Sequence, residues 1–181
     1  MIIRGEADFQ EEVTREFFLS QLIYALSDGD SFNEYRKKWD PMTKQGMTVS
    51  KLRYRELLKQ DELEEVFLLW FAVRSPGMGV LNDRDLCLVK HLSKTVCPVT
   101  GEPVAVANFF SWTSPAVPDM ETALGRIRAH VYLGGYVLRP RQDDKKHHTL
   151  SFLVQMDTRG KHQTMPIFFS VDKSVRILAS Y

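Results

Sequence analysis

From Val49 onward apolar and polar residues alternate in short runs, and a period of two predicts strands. Val49 to Leu58 alternates for most of its length, and Leu63 to Val73 is rich in β-branched and aromatic residues, so the two read as paired strands around Lys59-Gln60-Asp61-Glu62. Further strand-like runs follow at Leu86 to Leu92, Val104 to Trp112, Ile127 to Leu138 and Leu150 to Met156, separated by Gly, Pro, Asn and Asp. Ahead of them, Ile2 to Phe9 reads as a first strand. Glu11 to Leu26 then spaces Val13, Phe17, Leu22 and Leu26 near a helical period, with Asp28-Gly29-Asp30 as its stop. A short second helix is expected over Phe32 to Trp39, ended by Asp40-Pro41, because a residue before proline leaves the helical region. Pro166 sets the first turn of a closing helix that carries Phe168 and Phe169 toward Tyr181. Six or seven strands with short connections predict an antiparallel meander. Gly134-Gly135 inside Val131 to Leu138 predicts a bend, a bulge or a tight turn, and hence a curved sheet.

Composition narrows the class. A chain of 181 residues has the size of one domain, taken here as 1–181, and 44% hydrophobic with 26% charged residues suits a globular protein. A formal net charge of +1 supplies no global field for nucleic acid or an anionic membrane, so no nucleic-acid partner is expected and any membrane contact is local and transient. Only Cys87 and Cys97 are present, which fits neither a disulfide scaffold nor a structural zinc site. A reducing, cytoplasmic compartment is the expectation. The opening Met1-Ile-Ile-Arg-Gly-Glu-Ala-Asp is charged too early for a signal peptide, and the longest apolar run, Val66 to Val73, is too short to span a bilayer as a helix.

Catalytic machinery is not legible. No Gly-x-Ser-x-Gly elbow occurs, and none of His91, His130, His147, His148 and His162 has metalloprotease spacing. Adjacent His147 and His148 on a strand point to opposite faces, a poor arrangement for one metal. Gly77-Met-Gly79 lacks a phosphate loop's third glycine, and Cys97-Pro98 has no basic or redox neighbour in sequence. No catalytic residue, metal or cofactor is expected, and the chain is not expected to be an enzyme. Aromatic residues, by contrast, are spread over the expected sheet and closing helix, among them Phe67, Trp70, Phe71, Phe109, Phe110, Trp112, Tyr132, Tyr136, Phe152 and Phe168. Each suits a core, yet a large sheet with few helices cannot fill a curved interior with side chains alone, and an apolar cavity follows.

Several local patterns stand in one order: Ile3-Arg-Gly-Glu6, Tyr35-Arg-Lys-Lys-Trp-Asp-Pro41, Arg74-Ser-Pro-Gly-Met78 leading to Arg84-Asp85-Leu86, Arg126-Ile-Arg-Ala129, Tyr132-Leu-Gly-Gly-Tyr-Val-Leu-Arg-Pro140, then Gln155-Met-Asp157 with Gly160 and Pro166. In this the chain resembles the START family, the lipid-transfer domains related to the steroidogenic acute regulatory protein, over nearly its whole length. The resemblance implies an α+β helix-grip fold, a curved antiparallel β-sheet around a hydrophobic cavity closed by a C-terminal helix. It further implies one bound lipid, a sterol, phospholipid or sphingolipid, carried for non-vesicular transfer or lipid sensing.

The same resemblance implies a set of site residues. Arg84 and Asp85 match a pair that opens an inner strand beside the cavity mouth, read either as a charge pair at the entrance or as a structural ion pair ordering the loop. Lys90 falls where family members place a cavity-facing cation, and strand alternation puts it on one face with Leu86 and Leu88. Trp70, Gln155 and Phe168 are further wall candidates, and Ser75 to Asp83 matches a loop that opens the cavity and touches membrane. Two departures stand out. The family has a helix before the first strand, whereas this sequence starts almost at that strand, and the closing helix expected after Pro166 is about half the family's length; the chain is then either a piece of a longer parent with other domains or a compact variant with a more open site. Two other classes stay open: a regulatory or protein-interaction module on the same fold without lipid transfer, and a helix-grip enzyme, which would need acid, base and polar groups converging on the cavity.

Overall fold

The computed structural model describes residues 2–9, 14–25, 43–52, 64–74, 82–117 and 125–159. Strand β1 (Ile2–Asp8) leads to helix α1 (Arg15–Ala25), followed by β2 (Thr43–Leu52), β3 (Glu64–Val73), β4 (Arg84–Val96), β5 (Pro103–Ser111), β6 (Ile127–Arg128), β7 (His130–Pro140) and β8 (His148–Asp157). The sheet order is β1-β8-β7-β5-β4-β3-β2, with β6 paired to β4 off this path. All neighbours along the path run antiparallel, while β6 lies parallel to the start of β4, at Arg84↔Ile127 and Asp85↔Arg128. The expected meander therefore holds from β2 to β8, and β1 departs from it by pairing with the last strand.

Local chemistry explains where the elements differ from the sequence expectation. β2 starts at Thr43 and not at Val49, because register shifts between Thr43 and Gln45 and between Thr48 and Ser50 interrupt its alternation. Ile127 to Leu138 divides at Ala129 into two strands that pair with different neighbours. Gly134 and Gly135 sit inside the single strand β7, so they make no turn; the irregularity lies between Val131 and Leu133. The expected helices over Phe32 to Trp39 and after Pro166, and most of the loop from Ser75, lie outside the described residues.

One face of the sheet carries the main core. Phe67, Leu69 and Phe71 of β3, Leu86, Leu88 and Leu92 of β4, Ala105 and Ala107 of β5, and Phe152, Val154 and Met156 of β8 are buried there with Phe9. Helix α1 adds Phe18 and Leu19. The Thr14 hydroxyl caps this helix by accepting from the Phe17 amide at 3.1 Å, and Glu16 pairs with Lys94 of β4 at 2.9 Å. Gly134 is needed on this face: a Cβ there would stand 2.3 Å from Cε2 of Phe109. Its absence lets the Phe109 ring lie over β7 within 6.2 Å of the Tyr136 ring, which in turn is 4.8 Å from Phe152. The opposite face holds a smaller cluster of Trp70, Ala72, Cys87 and Val117.

Candidate functional site

Alternation along β4 sends Arg84, Leu86, Leu88, Lys90 and Leu92 to the apolar face. Lys90 is only 8% exposed, stands opposite Phe67 of β3 and Phe109 of β5, and carries its Nζ over the Tyr136 ring at 5.7 Å. A cation held against an aromatic face keeps part of the stabilisation it loses with its water. Two further polar groups share this region. Glu65, two residues before Phe67, is 6% exposed and pairs with Lys51 of β2 at 3.2 Å, while Lys51 Nζ sits 5.1 Å from the Phe67 ring. Lys51, Glu65 and Lys90 thus surround Phe67 and set a small polar group into an apolar wall. Lys90 lies six residues beyond Arg84 on β4, about 20 Å along the strand. The sequence reading missed Lys51 and Glu65, although Glu65 has the same parity as Phe67, Leu69 and Phe71 and alternation alone points it inward.

Arg84 and Asp85 do not form the pair expected of them, since consecutive residues on a strand project to opposite faces. Arg84 is 3% exposed, and its Nε and Nη2 donate to the backbone carbonyls of Thr158 at 2.7 Å and Arg159 at 3.0 Å, with Nη1 donating to Asn82. Burial pushes its pKa below the ordinary guanidinium value. Its role here is to tie the end of β8 to the start of β4. Asp85 is fully buried on the other face, where it accepts from Arg128 Nε at 2.9 Å, Arg128 Nη2 at 2.7 Å and Trp70 Nε1 at 2.9 Å. Trp70 and Asp85 therefore belong to the smaller cluster and not to the apolar wall. Arg126 continues this constellation, its guanidinium 5.8 Å from the centre of the Trp70 ring. Gln155 is exposed on the same side of β8 as Leu153, between buried Val154 and Met156. Phe168 lies outside the described residues. Of the expected residues that are described, then, only Lys90 projects into the apolar wall away from the strand ends. No cluster of His, Cys, Asp or Glu suited to a metal ion occurs among the described residues.

An open antiparallel sheet whose first strand pairs with its last, with one apolar face carrying a buried polar group, defines the class as an α+β helix-grip domain. Solved structures agree. Human STARD10 superposes with a TM-score of 0.66 at 18% identity over 99% of this chain and 64% of its own. Human StAR-related lipid transfer protein 5 gives 0.57 at 15% identity over 99% of this chain and 72% of its own. The human StarD13 (DLC2) lipid transfer and protein localization domain gives 0.59 at 16% identity over 99% of this chain and 76% of its own. The chain thus has the START-domain fold and spans under two thirds of the STARD10 chain. No protein-family model matches the sequence. No curated protein matches it by sequence.

Proposed function

We propose that the chain binds a single lipid, a sterol, phospholipid or sphingolipid, with its hydrocarbon against the apolar face and its head group at Lys90, and that it does so for non-vesicular transfer or lipid sensing. The observation that carries the reading is the polar group of Lys51, Glu65 and Lys90 set around Phe67 in an otherwise apolar wall. Apolar contact supplies affinity at about 25 cal/mol per Å² of surface removed from water, or about 0.8 kcal/mol for each methylene. The ammonium of Lys90 then selects, by charge for a phosphate or by donation to a hydroxyl. The lipid-transfer descriptions of two neighbours support this reading. The mechanism requires binding and release, with no bond made or broken. The two free cysteines, Cys87 and Cys97, support a reducing, cytoplasmic setting.

The test is native mass spectrometry of the protein purified from cells and then offered a panel of sterols, phospholipids and sphingolipids. A one-to-one complex with a ligand-dependent rise in melting temperature is expected. A chain that retains no lipid and shows no thermal shift with any member of the panel contradicts the proposal.

A further inference from the structure

Large apolar side chains stand exposed at one end of the sheet, on the face turned away from the main core. Phe110 is 37%, Trp112 55%, Tyr132 55% and Leu133 52% exposed. They are neighbours. The Phe110 and Trp112 rings meet edge to face at 6.4 Å, and Phe110 follows Phe109, whose partner Gly134 follows Leu133. Register continues this row through Gln155 to Ile2, which is 68% exposed. Backbone bonding joins the patch to the Trp70 cluster, because the Trp112 amide donates to the Cys87 carbonyl at 2.9 Å.

Positive charge gathers at the same end. Arg126 lies over Trp70, and its Nη1 is buried without a hydrogen-bond partner. Arg74 and Arg159 are exposed just beyond β3 and β8, at the same end of the sheet. Among the described acidic groups at this end, Asp85 is engaged by Arg128 and Trp70 and Asp83 by Lys44 at 2.5 Å, while Asp157 accepts from the Arg159 amide at 2.8 Å. Basic side chains gathered at a surface favour the anionic phosphates of a bilayer. Trp and Tyr, apolar in the ring and polar at the tip, favour the boundary between water and hydrocarbon. A two-fold pairing of the chain with itself through this patch would set one cluster of basic groups against the same cluster, which opposes that alternative.

We infer that this end of the outer face docks on an anionic lipid bilayer, with Trp112, Tyr132 and Leu133 entering the head-group layer and the positive charge of Arg74, Arg126 and Arg159 drawn to its phosphates. The inference extends the lipid-binding reading by naming the surface that meets the donor or acceptor membrane.

The test is co-sedimentation of the full chain with phosphatidylcholine vesicles, with and without phosphatidylserine, alongside tryptophan quenching by brominated acyl chains. Arg126→Gln is expected to weaken binding about fivefold on the anionic vesicles alone, the loss typical of one basic residue near such a surface. Trp112→Ser combined with Leu133→Ser is expected to weaken binding on both compositions and to abolish the quenching. Val99→Ser, at a 90% exposed position in the turn at the far end of β4, is expected to change neither. The inference is overturned if the patch variants bind as the parent does, if Val99→Ser loses as much as they do, or if light scattering shows a dimer that the patch variants dissociate. Lipid retention, read by mass spectrometry on the same samples, separates the two proposals. Patch variants that keep their lipid and lose the vesicles support docking here, and a parent that binds vesicles through the patch yet retains no lipid leaves docking standing while lipid binding falls.

Discussion

Replacing Asp85 by Asn separates fold maintenance from ligand contact. Asp85 is fully buried and accepts three hydrogen bonds, two from Arg128 and one from Trp70. The amide retains one acceptor oxygen, turns an N–H₂ group toward existing donors, and leaves the Arg128 charge uncompensated. Removing one partner of a buried ion pair costs about 3–5 kcal/mol. The Arg128 side chain is 18% exposed and keeps some hydration, so the lower end, about 3 kcal/mol, is expected. At a urea m-value of about 2 kcal/mol/M that loss lowers the unfolding midpoint by about 1.5 M, or the melting temperature by about 6–12 °C for a chain of this size. Adding Arg128→Met removes the orphaned charge and is expected to restore part of the loss, a coupling read directly by the double-mutant cycle. Lipid bound per folded molecule stays unchanged, because Asp85 faces away from the apolar wall. A midpoint shift equivalent to less than about 1 kcal/mol, or a loss of lipid in the fraction that remains folded, refutes the reasoning.

Lys90→Met is expected to shift the retained lipids from phosphate-bearing to neutral species, because it removes the ammonium from the apolar wall and leaves a chain of similar length. An unchanged lipid profile in the mass spectrum removes Lys90 from the site. Gly134→Ala forces the Phe109 ring off β7 and is expected to cost about 1–3 kcal/mol in equilibrium unfolding; a neutral result would mean that the ring has another place to go. Cys97 and Cys87 are expected to differ in reactivity. The Thr100 hydrogen bond holds the Cys97 thiol below its ordinary pKa, whereas burial pushes the Cys87 thiol up. At a given pH near neutrality Cys97 therefore carries more thiolate, and iodoacetamide followed by peptide mass mapping labels Cys97 first in the folded chain. Equal labelling of the two contradicts this.

Alternation made most of the sheet legible, because strands with one apolar face repeat every two residues; β3, β5 and β8 fall close to their expected bounds. It also placed Lys90 correctly beside Leu86 and Leu88. The same rule puts Arg84 and Asp85 on opposite faces, so each meets its own partners. Asp85 found its partner in Arg128, 43 positions away, and Arg84 found carbonyls 74 and 75 positions away, separations that no local pattern reports. Pairing of β1 with β8 and the parallel bridge of β6 to β4 are likewise long-range products of the closed chain path. The polar group at Phe67 was hidden for a different reason. Lys51 belongs to β2, whose bulges break the alternation, and Glu65 lies at the margin of β3.

Crosslinking with photoreactive lipids carrying the reactive group near the head or along the chain tests the central claim most directly, by mapping which side of the strands the ligand touches. Head-group probes are expected to label Lys90 and its neighbours Phe67 and Tyr136, and chain probes to label inward positions such as Leu88 and Phe109. Labelling confined to outward positions, Trp70, Gln155 or Leu133, contradicts a lipid held on the apolar face.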